Sequence, residues 1–320
     1  MNYRSVAQLA DLVRASLHKI PPGVELVVGV PRSGMLAASL VALNLNVDFC
    51  DVGSYIENRR LGRGRTRSSR FAHLVFPRDA KRVLVIDDST DTGTSLQVVR
   101  ELLLSEANHS HFTFAAVFAT EAAAPKVDCY FEIVPQPRSF EWNIMHRPFI
   151  GECCVDIDGV LCVDPTPVEN DDGVEYGKFL LNARTLVIPS HPVGHLVTSR
   201  LEKYRKETEA WLEKCGVVYG ALHMLDLPDG ATRRRLGCHA EFKTKVFRKL
   251  HYSKLFVESE PHQASHIARH SGKPALCFTT QQLFGPSLSL GALDYSAQRL
   301  ARGVYGRIVT GTRGVFNRLK

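Results

Sequence analysis

An apolar run that stops on acid constrains this chain most. Residues 83–95 read VLVIDDSTDTGTS. Four aliphatic residues in a row, bounded by polar ones, fit a strand buried on both faces. Asp87 and Asp88 follow, then a short loop of Thr, Ser and Gly. After it comes a helical pattern carrying Leu96, Val99, Leu102 and Leu103. Such a loop turns successive backbone N–H groups and hydroxyls toward one point at a helix N-terminus, which makes an anion site. The two carboxylates would repel a phosphate. They suit a vicinal diol, bound directly or through Mg²⁺. A ligand with both a phosphate and a ribose diol satisfies the two halves together.

The rest of the chain repeats the alternation of strand and helix that specifies a parallel sheet covered by helices. Ser5 is placed to cap a first helix whose Val6, Leu9, Leu12, Val13 and Leu17 share a face. Leu26-Val27-Val28 reads as a buried strand. At 320 residues the chain has room for two domains. The proline-bearing stretch from Pro135 to Pro148 marks the junction. The expected organisation is α/β in both domains, with boundaries at 1–148 and 149–283, followed by a basic extension over 284–320.

The first domain resembles the type I phosphoribosyltransferases. Their fingerprint is four apolar residues, two acids, a variable triplet and Thr-Gly-x-Thr/Ser. The resemblance implies that Asp87 and Asp88 hold the ribose hydroxyls of phosphoribosyl pyrophosphate. Thr92, Gly93, Thr94 and Ser95 would hold its 5-phosphate. Asp91 falls where the purine-salvage branch has an acid that acts on the base. Gly29-Val30-Pro31-Arg32-Ser33-Gly34 looks like the family's pyrophosphate loop, with Arg32 on the anion and Ser33 and Gly34 beside it. The segment RRLGRGRTRSSR (59–70), with six arginines, sits where the family has a flexible lid. Phe140, Trp142 and Asn143 are the expected base-recognising residues, although an aromatic pair such as 140 and 142 is more often core or interdomain packing than a base clamp.

Residues 153–161, CCVDIDGVL, deliver a second acid pair. Positions i and i+2 of an extended segment point the same way, so Asp156 and Asp158 face one side. An Asp carboxylate can accept a phosphoryl group. This stretch resembles the first motif of the haloacid dehalogenase superfamily. The resemblance implies Asp156 as nucleophile and Asp158 as general acid/base. Thr198 would bind phosphoryl oxygens, and Lys243, with Lys245 second, would supply the lysine. Mg²⁺ would be held by Asp156, Asp158, Glu258 and Glu260. Glutamates stand at the last two positions where the superfamily uses aspartates. Ser199 would cap the following helix, and residues 160–193 would form a small cap domain.

Composition narrows the partners. The net charge of +7 favours anions. Small phosphorylated metabolites meet that as well as nucleic acid, which is the less favoured partner. No stretch approaches the roughly 20 apolar residues of a membrane span. The N-terminus lacks a signal-peptide core, so a soluble cytoplasmic protein is expected, and a homo-oligomer is compatible. None of the eight cysteines forms a C-x-x-C pair, so reduced, packed thiols are expected.

The two resemblances together imply a bifunctional nucleotide-metabolism enzyme. One half would transfer a phosphoribosyl group to, or remove it from, a nucleobase-like molecule. The other would dephosphorylate the product, with Mg²⁺ serving both. The competing reading is a regulatory protein that senses phosphoribosyl pyrophosphate and binds RNA, with a phosphatase-like domain of little or no activity.

Overall fold

The computed structural model describes residues 1–286, apart from 65, 67, 107–110 and 171. The extension expected over 284–320 therefore lies almost wholly outside the described residues. The chain divides into two units, Met1–Asn143 and Ile144–Lys320.

In the first unit the order is β1 (Asn2–Arg4), α1 (Val6–Ser16), β2 (Leu26–Gly29), α2 (Gly34–Leu45), β3 (Asp48–Asp51), α3 (Val52–Ile56), β4 (Arg82–Thr90), α4 (Thr94–Glu106), β5 (His111–Ala119), β6 (Cys129–Ile133) and β7 (Arg138–Phe140). Among the described residues five strands form a parallel sheet in the order β3-β2-β4-β5-β6. The connections from β2 and β4 leave in opposite directions, so the sheet has a switch point between these two strands. Ligands of open α/β sheets bind outside the strand C-termini at such a point. Strand β4 runs on through Asp87 and Asp88 to Thr90, longer than its apolar run suggested, because β5 keeps pairing with it as far as Thr90↔Ala119.

Ser5 does cap α1. Its hydroxyl accepts from the Gln8 N–H, and the Gln8 side chain accepts from the Ser5 N–H, a reciprocal capping box. Leu9 and Val13 are the fully buried face of this helix. The unit closes on itself: β1 pairs in parallel with β7, and the Val6 N–H donates to Glu141 Oε2 at 2.7 Å.

The described part of the arginine segment is not a free lid. Arg63 forms an ion pair of 2.6 Å with Asp48, and Ser69 donates to the same carboxylate at 2.8 Å. Asp48 pairs with Leu26, at the N-terminal end of the strands. These residues therefore sit at the end of the sheet opposite the loops they were expected to cover.

In the second unit the order is β8 (Cys153–Val155), α5 (Val174–Asn182), β9 (Val193–Leu201), α6 (Arg205–Lys214), β10 (Tyr219–Leu225), α7 (Gly230–Leu236), α8 (His239–Lys249), β11 (Leu255–Glu258), α9 (Pro261–Ser271), β12 (Ala275–Cys277) and β13 (Gln282–Phe284). Its described sheet has the order β10-β9-β8-β11-β12-β13. Only the β12–β13 pairing is antiparallel among the described strands. The switch point lies between β8 and β11. Ser199 does not cap a helix. It lies inside β9, and α6 starts six residues later at Arg205 without a side-chain cap. Arg200 and Leu201, both buried, keep the strand going, and Leu201 still pairs with Leu225 of β10.

Cys153, Cys154, Cys162 and Cys277 are buried and free. No described helix is long and apolar enough to cross a membrane.

Replacing the cap should read out locally: Ser5→Ala is expected to lower the stability of the first unit by about 1 kcal/mol, measured as a shift in the urea midpoint.

Candidate functional site

Two loops meet at the switch point of the first unit. One follows β2 and runs into α2. The other follows β4 and runs into α4. Both helices open with their N-termini at the strand ends, where unpaired N–H groups favour an anion. The approach is close. A Cβ on Gly34 would lie 2.8 Å from Asp87 Oδ1 and 3.1 Å from both Asp87 Cα and Ile86 O. Two of these are backbone contacts that cannot swing away, so glycine alone lets α2 start beside β4. Arg32, just ahead of it, is exposed, and Ser33 precedes the first turn of α2.

Asp87 and Asp88 are 9% and 1% exposed. Among the described residues neither is paired with a cation. Burial, reinforced by the charge of Asp88, pushes Asp87 up to about 8. Trp142 Nε1 donates to Asp88 Oδ2 at 2.8 Å. Two hard-oxygen donors without a protein cation are the donor set that a divalent ion or a diol would complete.

The loop 91–95 forms as expected. Thr92 and Thr94 hydroxyls lie 2.8 Å apart, and Thr94 and Ser95 start α4, with exposed side chains. Gly93 takes a left-handed φ of 81°, and Lys126 donates to the Thr92 carbonyl at 2.6 Å. Asp91 is exposed and held by two residues the sequence did not suggest. Gln136 donates to its Oδ1 at 2.9 Å, and Arg138 stands 3.8 Å away.

The aromatic pair splits. Phe140 is fully buried in a cluster with Phe118 and Trp142, its ring 5.4 and 5.0 Å from theirs, and theirs 6.4 Å apart. It is core and cannot also stack on a base. Trp142 remains partly exposed. The Asn143 side-chain oxygen is buried without a hydrogen-bond partner.

At the switch point of the second unit, Lys243 from α8 is 2% exposed. It donates to Asp156 Oδ2 at 2.6 Å, to Glu258 Oε2 at 2.7 Å and to Gln263 Oε1 at 3.1 Å. Burial favours the neutral amine, but the two carboxylates outweigh it and hold Lys243 above its ordinary value. The other oxygen of Glu258 accepts from the N–H groups of Ser259 and Glu260. Glu258 is thus saturated as the partner of Lys243.

This changes the expected metal set. Asp156, Asp158, Glu258 and Glu260 do not stand as a shared ligand cluster; no group of three or more such side chains placed to hold a metal ion occurs among the described residues. Asp158 is also differently employed. Burial pushes its carboxyl up, but the Arg200 guanidinium, on both its oxygens at 2.6–3.2 Å, outweighs this and leaves it below its usual range. A carboxylate held so cannot readily give a proton. Asp156, Thr198, Lys243 and Glu260 line one cleft of about 240 Å³, together with Asp164, Arg233 and His239, which the sequence did not single out.

Residues 4–149 match the phosphoribosyl transferase domain family. The xanthine-guanine phosphoribosyltransferase of Cereibacter sphaeroides (strain ATCC 17025 / ATH 2.4.3) is 30% identical over 123 residues, covering 37% of this chain and 68% of its own. The chain belongs to the phosphoribosyltransferase family. The enzyme of the same description from Ruegeria sp. (strain TM1040) is 29% identical over 126 residues, again 37% of this chain and 68% of its own. Helicobacter pylori xanthine-guanine-hypoxanthine phosphoribosyltransferase superposes with a TM-score of 0.33 at 19% identity, over 45% of this chain and 92% of its own; the assignment does not rest on it. The family match ends at residue 149.

Two outcomes follow from the first site. Gly34→Ala is expected to cost the first unit about 1–3 kcal/mol, the range of overpacking, in urea unfolding. Asp87 ionises near 3.8 when unconstrained and at about 8 in the fold. Between those values the folded chain holds a proton the unfolded chain has lost, so this group's contribution to stability falls as pH rises. Asp87→Asn should therefore raise the melting temperature relative to the parent more at about pH 8 than at about pH 4, by differential scanning calorimetry.

Proposed function

We propose that the first unit transfers a 5-phosphoribosyl group between phosphoribosyl pyrophosphate and a purine-type base, and that the second removes a 5-phosphate from a phosphoribosyl product. The observation that carries the first half is the meeting of two helix N-termini with an uncompensated carboxylate pair at one switch point. That arrangement matches a ligand with phosphate at one end and a diol in the middle. The purine preference rests on the relatives' names alone.

In this reading the loop 91–95 binds the 5-phosphate, and Arg32, Ser33 and Gly34 face the pyrophosphate. Asp87 and Asp88 take the ribose hydroxyls. These two carboxylates would also hold Mg²⁺, which would supply charge neutralisation for the pyrophosphate. The C1′–O bond to pyrophosphate breaks and a C1′–N bond to the base forms. The proton of that nitrogen passes to Asp91, which Gln136 and Arg138 orient. Charge neutralisation and positioning supply most of such a rate enhancement. Trp142 fixes Asp88 through its N–H and leaves its ring face for the base.

In the second unit the proposed chemistry is hydrolysis through Asp156, in the manner of the haloacid dehalogenase superfamily. An Asp156 oxygen attacks phosphorus and the ester oxygen leaves, taking a proton from solvent. Water then attacks the acyl phosphate and releases phosphate. Asp158, kept ionised by Arg200, is suited to accept the proton of that water. Thr198 and Lys243 bind phosphoryl oxygens. The support is the Lys243 bridge between Asp156 and Glu258, which holds the nucleophile in place at the strand end.

The test is phosphorus NMR of the protein with phosphoribosyl pyrophosphate, Mg²⁺ and xanthine, guanine or hypoxanthine. Pyrophosphate should appear first and free phosphate second. Asp91→Asn should abolish the first signal, and Asp156→Asn only the second. Binding without turnover in every mixture would sink the enzymatic reading in favour of a sensor.

A further inference from the structure

Lys243 and Arg233 line the cleft of the second unit, and a third cation, Arg200, pairs with the Asp158 of its lining. Lys243 is committed to Asp156, Glu258 and Gln263. Arg233 is the first of three consecutive arginines of α7, of which Arg234 and Arg235 are exposed while Arg233 is 8% exposed. Helices rarely bury an arginine without a partner for each edge of the guanidinium.

Two edges are used. Nη1 donates to the Ser199 carbonyl at 3.0 Å and Nη2 to Asn170 Oδ1 at 3.1 Å. Nε is buried without a hydrogen-bond partner. The Ser199 hydroxyl, on the same cleft beside Thr198, is buried without one as well. A buried donor left unmade costs about 1–3 kcal/mol, so two on one wall of a cleft indicate an acceptor that is normally there.

We infer that Arg233 Nε and the Ser199 hydroxyl bind oxygens of a phosphoryl group in this cleft, facing Asp156 and Lys243 across it. The inference rests on the phosphatase reading for its catalytic meaning. The anion site itself stands on the burial and the unmade donors. A guanidinium is the side chain that presents fixed parallel donors to a tetrahedral oxyanion. It also adds a positive charge to a cleft that holds Asp156, Asp158, Asp164 and Glu260. Without it a phosphate dianion would meet mainly carboxylates.

The test follows arginine Nε–H resonances of the full chain by NMR while inorganic phosphate is added. Hydrolysis of p-nitrophenyl phosphate is measured in parallel. The resonance missing from Arg233→Lys identifies Arg233. It should shift and saturate with phosphate, and should still do so in Asn170→Ala, which breaks the structural tie and leaves Nε in place. Arg233→Gln should lower kcat/KM about tenfold to a hundredfold, the worth of a charge-assisted bond, with Arg233→Lys recovering part of it. A resonance that does not move, or an Asn170→Ala loss equal to that of Arg233→Gln, overturns the inference and leaves Arg233 a structural tie. A resonance that moves in a protein that hydrolyses no phosphomonoester upholds the anion site and removes the phosphatase reading.

Discussion

Parallel strands whose connections part in opposite directions create the space on which everything else here depends. A parallel sheet satisfies its backbone internally and ends every strand at the same edge. Where neighbouring connections diverge, no helix covers that edge. In the first unit the gap opens between β2 and β4, and in the second between β8 and β11. Each gap is flanked by acids carried on the strand ends: Asp87 and Asp88 in one, Asp156 and Glu258 in the other. The helices entering at the gap lend their N-terminal N–H groups at no further structural cost.

The two units compensate those acids differently. In the first, the carboxylates have no described protein cation, and Asp87 resists ionisation. In the second, Lys243 and Arg200 neutralise the carboxylates from within. Burial of an ion pair is repaid only when geometry and hydrogen bonding are nearly complete. Lys243 meets that condition with three acceptors, whereas Arg200 reaches both oxygens of Asp158 through Nε and Nη2 and leaves Nη1 buried without a partner. The first gap is therefore set up to receive positive charge or hydroxyls with its ligand. The second already has its cations.

The sheets and both strand-end motifs were legible because each is local. Four aliphatic residues followed by two acids and a glycine-bearing loop need no distant contact to be read. The same holds for Ser5, whose capping partner lies only three residues on. What failed depended on partners far along the chain. Ser199 looked like a helix cap until pairing with β10 carried β9 past it. Phe140 looked like a ring for stacking until Phe118, from β5, enclosed it. Arg63 looked like part of a lid until Asp48 claimed it. Arg233 was invisible among three arginines, since a run of one residue type does not say which member faces inward. Glu258 stands at the strand end, and its bond to Lys243 of α8 was not legible because the two lie on different elements.

The closure of the first unit carries a consequence for how its ends are treated. The strand Asn2–Arg4 lies against Arg138–Phe140, and Glu141 binds the N–H of Val6. The very next residue is Trp142, whose indole steadies Asp88. The opening residues of the chain thus act as a splint for a side chain at the ligand gap. A fusion tag or a trimmed start at that end would disturb the gap indirectly, and a spacer ahead of Met1 is the safer way to immobilise or label the protein.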